Sequence, residues 1–175
     1  EVGLRRVVVR PGLVEVLGWL EAARETRALW SSEALRARFS GLAALVDGLA
    51  DLEPLRRLLG ASLEPDGRVS DGASPDLARL RRGLEQGERA LQQRLERWAR
   101  GFGESAYVTR HGERFVALVP AAGFPRRRGI VHDVSGSGRT LFVEPLELCN
   151  SNNQIMELRA GVADEERRIL IALAA

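Results

Sequence analysis

The chain has 175 residues, 45% of them hydrophobic, and a net charge of +2, enough for one domain with a sizeable core or one domain plus protruding helices. No apolar run approaches the roughly 18 to 20 residues that span a bilayer, so no membrane partner is expected and a soluble, cytoplasmic protein is. All 26 basic residues are arginine, which excludes a P-loop lysine, a Schiff-base lysine and a Ser-Lys dyad within the chain. One cysteine, Cys149, excludes an internal disulfide and fits a reducing compartment.

The opening EVGLRRVVVRPG lacks an apolar signal-peptide core and does not begin with Met, so the chain reads as an excised piece. Residues 12 to 60 carry apolar residues at helical spacing, Leu13, Val16, Leu17 and Leu20, then Leu42, Leu45, Leu49 and Leu52. Pro54 is expected to interrupt the second of these segments and Gly60 to stop it. ASLEPDGRVSDGAS is then a linker of turn formers. Ser74-Pro75-Asp76 starts a new helix sharply, with serine as cap, proline in the first turn and aspartate favoured by the dipole. That helix is expected to run to about Gly101, with Leu77, Leu80, Leu84, Leu91, Leu95 and Trp98 on one narrow stripe.

From Glu104 the period becomes extended. AYVTRHGERFVALVP reads as a hairpin turning at His111-Gly112, and GIVHDVSGSGRTLFVEP as a second whose tip is Ser135 to Gly138. Helical period returns after Pro145 with Ile155, Leu158, Val162, Ile169 and Leu173, and the chain ends inside it. The fold class that follows is α+β: mainly helical, with long helices and a small antiparallel sheet of two hairpins, about 105–120 and 129–145. The organisation expected is a helical segment over 1–62 and a second unit over 63–175. The two long stripes exceed the needs of one small core, so self-association is also expected.

The second hairpin resembles a damaged phosphate-binding loop, but counting back from Gly138 puts Asp133 where the first glycine belongs and Arg139 where the lysine belongs. TLFVEP then follows as a strand, where a phosphate loop would open a helix. A triad of His132, Asp133 and Ser135 or Ser137, the basis of a small hydrolase, meets a geometric objection. Neighbours on a strand point to opposite faces, and G-x-S-x-G is absent. Asp133 is better placed to bond across the tip to Thr140 or to turn amides. His111, His132 and Glu144 lack the i, i+3 or i, i+4 spacing of a metal site. No catalytic, cofactor or metal residue is therefore expected here. Arg126, Arg127 and Arg128 lie between the hairpins and would join Arg110, Arg114 and Arg139 if the hairpins were neighbours. Such a patch could contact phosphates, or could simply be solvated.

GIVHDVSGSGRTLFVEP, followed by SNNQIMELR and EERRIL, is similar to the MutS family in its type-two bacterial branch. Gly129, His132, Asp133, Ser135, Ser137, Gly138, Thr140, Phe142, Glu144 and Pro145 fall on the branch's pattern, as do Asn152 and Asn153. VSDGASPDLARLR looks like its upstream element, so the resemblance spans about Val69 to Leu170. Ser151 and Gly136 depart from the pattern, and before about residue 60 there is only compatible helical character. The resemblance implies a core-and-lever segment of a dimeric protein, without catalysis of its own. The ATPase, with its ATP and Mg, and the Smr nuclease would lie in other domains. It implies partners too: branched DNA, in restraint of homologous recombination, or collided ribosomes and their RNA. A plain dimerisation scaffold is the alternative.

Overall fold

The computed structural model describes residues 10–174. The fold is 64% helical with one four-stranded antiparallel sheet, as the periodicities require. The described residues form two compact units, one of residues 10–77 with 165–174 and one of residues 78–164.

In the first unit, α1 (Arg10–Leu29), α2 (Glu33–Arg38), α3 (Ser40–Asp47) and α4 (Glu53–Ser62) follow one another. Leu13 and Leu20 of α1 pack with Leu59 and Leu63, and Leu170 and Leu173 close the same cluster. Pro54 does not interrupt a helix but begins α4, where its missing N–H costs nothing. Gly60 lies inside α4, which ends only when Leu63 turns extended and bridges Val69. Glu53 takes Arg56 and Arg57, and Arg56 also reaches Glu21 at 2.7 Å, fastening α4 to α1. Leu42, Leu45 and Leu58 remain exposed, as does Trp19 at 70%.

α5 (Pro75–Ala99) starts where the sequence predicts. The Ser74 hydroxyl oxygen accepts from the Asp76 and Leu77 backbone N–H groups at 3.2 and 3.4 Å, and its own proton goes to Glu165 at 2.6 Å. A 3-10 turn, Arg100–Phe102, ends the helix. In the second unit β1 (Tyr107–His111) and β2 (Arg114–Pro120) form the first hairpin, and β3 (Gly129–Val134) and β4 (Thr140–Pro145) the second. The strand order is β1-β2-β4-β3, so the hairpins are joined through β2 and β4. Gly138 takes φ +71° at the tip, a conformation that side chains resist. α6 (Cys149–Leu173) follows a 3-10 turn, Leu146–Leu148.

The core of this unit stacks Leu91, Leu95 and Trp98 of α5 against Phe115, Ala117 and Val119 of β2, Leu141 and Val143 of β4, and Ile155 of α6. The stripes read as long for one core are thus largely used up. Leu91, Leu95 and Trp98 are buried in this unit with Ile155, and Leu77 and Ile169 are buried as well. Much of the exposed apolar surface lies instead on residues 19–58, with further exposed side chains at Tyr107, Ile130, Val134, Leu146 and Ile171.

Candidate functional site

The family motif converges on one carboxylate. Glu144, the fifth residue of β4, is 1% exposed, and a buried carboxylate requires donors on every side. Three residues meet this demand, and a fourth braces one of them. Arg114 at the start of β2 donates to Oε1. Asn152 Nδ2 donates to the same oxygen at 3.0 Å. His132 Nε2 lies 2.7 Å from Oε2. The second Arg114 nitrogen reaches Asn153 Oδ1 at 2.6 Å. Two hairpins and the first turns of α6 therefore share one polar node.

His132 arrives there because β3 is irregular. Val131 pairs with Val143 and Asp133 with Phe142, leaving His132 as the extra residue of a bulge. Bulges re-aim side chains, and this one brings His132 to Glu144 across the β3–β4 ladder. Simple strand alternation misplaces this residue. It does not face a serine: Ser135 Oγ accepts from the Thr140 N–H at 3.1 Å and lies 3.3 Å from Ser137 Oγ. The expected bond from Asp133 to Thr140 is likewise made by Ser135. Asp133 accepts from the adjacent Val134 N–H at 2.7 Å, the nearer donor. His111 stacks against Phe142 at 5.3 Å, 6.1 Å from the His132 ring. Among the described residues, no group of three or more His, Cys, Asp or Glu side chains is placed to hold a metal ion.

Asn152, 1% exposed, does more than feed Glu144. Its Oδ1 accepts from the Phe115 N–H and its Nδ2 donates to the Phe115 carbonyl, both at 3.0 Å. β2 and β4 pair Ala117 with Val143. Carried two residues further, that register brings Phe115 opposite Pro145, which has no N–H to give. Asn152 supplies the donor and acceptor that a strand residue would have offered, so a helix side chain finishes the ladder where the proline ends it. Gly129, opposite Pro145, is needed for closeness: a Cβ there would meet Val143 Cγ1 and lie 2.8 Å from the Glu144 carbonyl oxygen.

Cys149 lies beside the node, its thiol donating to the Pro145 carbonyl at 3.4 Å. Burial first, and the Glu144 carboxylate second, push that thiol up from its ordinary value. Further along α6, Arg159 reaches Glu88 of α5 at 2.5 Å and the Glu113 carbonyl at 2.6 Å.

The arginines expected to form one patch are divided. Arg110 pairs with Glu88 at 3.3 Å and Arg114 serves the node. Arg126, Arg127 and Arg128 form a 3-10 turn leading into Gly129, at the Pro145 end of the sheet. Arg139 lies at the opposite end, where its carbonyl accepts from the Ala121 N–H. The length of a six-residue strand, about 20 Å, separates them.

No family model matches the chain. Curated relatives do. A protein of Thermomicrobium roseum named Endonuclease MutS2 is 43% identical over 162 residues, covering 90% of this chain. Proteins of the same name from Levilactobacillus brevis and Clostridium novyi are 34% and 33% identical, covering 95% and 97% of it. The chain belongs to the MutS2 family. It spans about a fifth of the length of these relatives, 20 to 23%. The likeness takes in the N-terminal helices as well, where the motifs alone gave only helical character. Among the described residues, no helix is long and apolar enough to cross a membrane.

Proposed function

We propose that this chain is the core and lever segment of a MutS2 protein, with no catalysis of its own, in which the Glu144 node couples the sheet to the lever helix α6. The observation that carries the reading is the buried carboxylate held jointly by β2, β3 and α6. A buried, fully satisfied polar node favours one arrangement of the elements it joins and resists intermediate ones. A part that transmits a nucleotide-driven change needs that behaviour. In this reading ATP and Mg bind another domain of the longer protein, a homodimer, and the coupled event is the gripping of branched DNA or of a ribosome through its RNA, in the cytoplasm. Restraint of recombination or rescue of collided ribosomes would be the outcome.

The test uses a full-length MutS2 protein carrying this segment. Asn152→Ala should leave ATP binding intact and remove most of the ATP-dependent change in retention of a four-way junction or of ribosomes. Circular dichroism should confirm that the fold is kept. A variant that loses the node yet keeps the full ATP-dependent change would refute the coupling. The exposed Trp19, Leu42, Leu45 and Leu58 favour a second reading, a dimerisation scaffold. Light scattering by the chain alone supports that reading if it dimerises and opposes it if it stays monomeric at high concentration.

A further inference from the structure

Among the described residues many arginines hold a carboxylate, and six of those that do not gather in one place, while Arg38, Arg82 and Arg139 lie elsewhere. Arg89, Arg110, Arg114 and Arg159 of the second unit each hold a glutamate. Arg97 and Arg100 at the end of α5 do not, nor do Arg126, Arg127 and Arg128. These two stretches meet. Phe124 packs on Trp98 and Phe102 with ring centres 6.3 and 5.5 Å apart, and the Arg128 guanidinium lies over the same two rings at 5.6 and 5.2 Å. Arg94, one turn before Arg97, is held by Ser151 at 2.9 Å and has no carboxylate. Six arginines thus face three glutamates in the same stretches, Glu96, Glu104 and Glu147, and Glu96 already accepts the Gln92 amide at 3.0 Å.

We propose that the end of α5 and the Arg126–Arg128 turn form a binding surface for the phosphate backbone of a nucleic acid. This rests on the nucleic-acid part of the function proposed above and assigns it to particular side chains. Arg128 is ordered in advance by the two rings beneath it, so less freedom is lost when its N–H groups meet a phosphate. Arg97, Arg100, Arg126 and Arg127 are exposed and have no protein acceptor to give up. Bases are not read. Trp98 and Phe124 are buried, and Tyr107, beside Arg100, is the one exposed ring bordering the surface. The contact is therefore to backbone phosphates, independent of sequence and steep in salt.

The experiment is fluorescence anisotropy of the 175-residue chain with a four-way DNA junction, a linear DNA duplex and an RNA hairpin, at several salt concentrations. The variant R97Q/R126Q/R127Q spares Arg128, which packs on the core. A control of equal charge, R38Q/R82Q/R139Q, removes arginines elsewhere. The variant should weaken binding at least about tenfold in moderate salt and flatten the log–log salt slope by about two to three, since each phosphate contact releases about 0.9 counterion from duplex DNA. The control should change the slope by less than about one. The polymer bound most tightly identifies the natural backbone. Equal losses in both variants, an unchanged slope in the first, or no binding by the unmodified chain at low salt would each overturn the proposal. The ATP coupling at the node is untouched by such a failure.

Discussion

Replacing Asn152 by alanine removes three hydrogen bonds at once, two with Phe115 and one with Glu144. Water cannot easily repair the loss, because Asn152 and Glu144 are each 1% exposed and Phe115 is 7% exposed. Each buried donor or acceptor left without a partner costs about 1 to 3 kcal/mol. The Phe115 N–H and carbonyl lose their Asn152 partner, while Glu144 keeps Arg114 and His132, so the expected destabilisation is about 3 kcal/mol. For a chain of this size that lowers Tm by about 6 to 12 °C. Thermal unfolding gives the magnitude, and amide hydrogen exchange locates it. The Phe115 amide should lose protection well before the Val116 and Val119 amides of the same strand. A Tm within about 2 °C of the unmodified chain, with Phe115 still protected, would show that another group completes the ladder and that the helix is not its missing strand.

Two further outcomes are expected. Gly129→Ala should destabilise the second unit although the backbone there is ordinary, because its Cβ would press on the Glu144 carbonyl 2.8 Å away; chemical denaturation should show a lowered midpoint, and an unchanged one would mean that β3 shifts freely. Glu165 is held at about 2 by its bonds from Arg168 and Ser74. A carboxyl depressed on folding contributes stability that is present above its unfolded value and lost as pH falls towards 2, so Glu165→Gln should flatten the loss of stability between about pH 5 and pH 2, and an identical acid profile would remove Glu165 from that balance.

The long helices and both hairpins were legible because their periods are unambiguous and their ends carry Ser74, Gly112 and Gly138. Helix boundaries before residue 62 were harder. Pro54 is compatible with either stopping a helix or starting one, and only the packing of Leu59 on α1 decides between them. The node was legible as a set of residues but not as a geometry. Glu144 between apolar neighbours and Pro145 signals a buried charge that must find a cation, yet Arg114 lies 30 residues away. His132 could not be aimed without the bulge, which no residue type in VHDV announces. Asn152 carries the one signal that was available and unused: a proline ends a central strand, and an amide follows on the first inward-facing turn of the next helix.

Cys149 gives the node a chemical voice. The chain's single thiol is tethered to the Pro145 carbonyl and kept protonated by burial and by the negative charge of Glu144. Anything that draws Glu144 away or lifts the start of α6 makes that sulfur more acidic and easier to reach, hence faster towards an alkylating reagent. With no lysine and no second cysteine to compete, the alkylation rate of an unmodified chain becomes a clock for how often β4 and α6 part company.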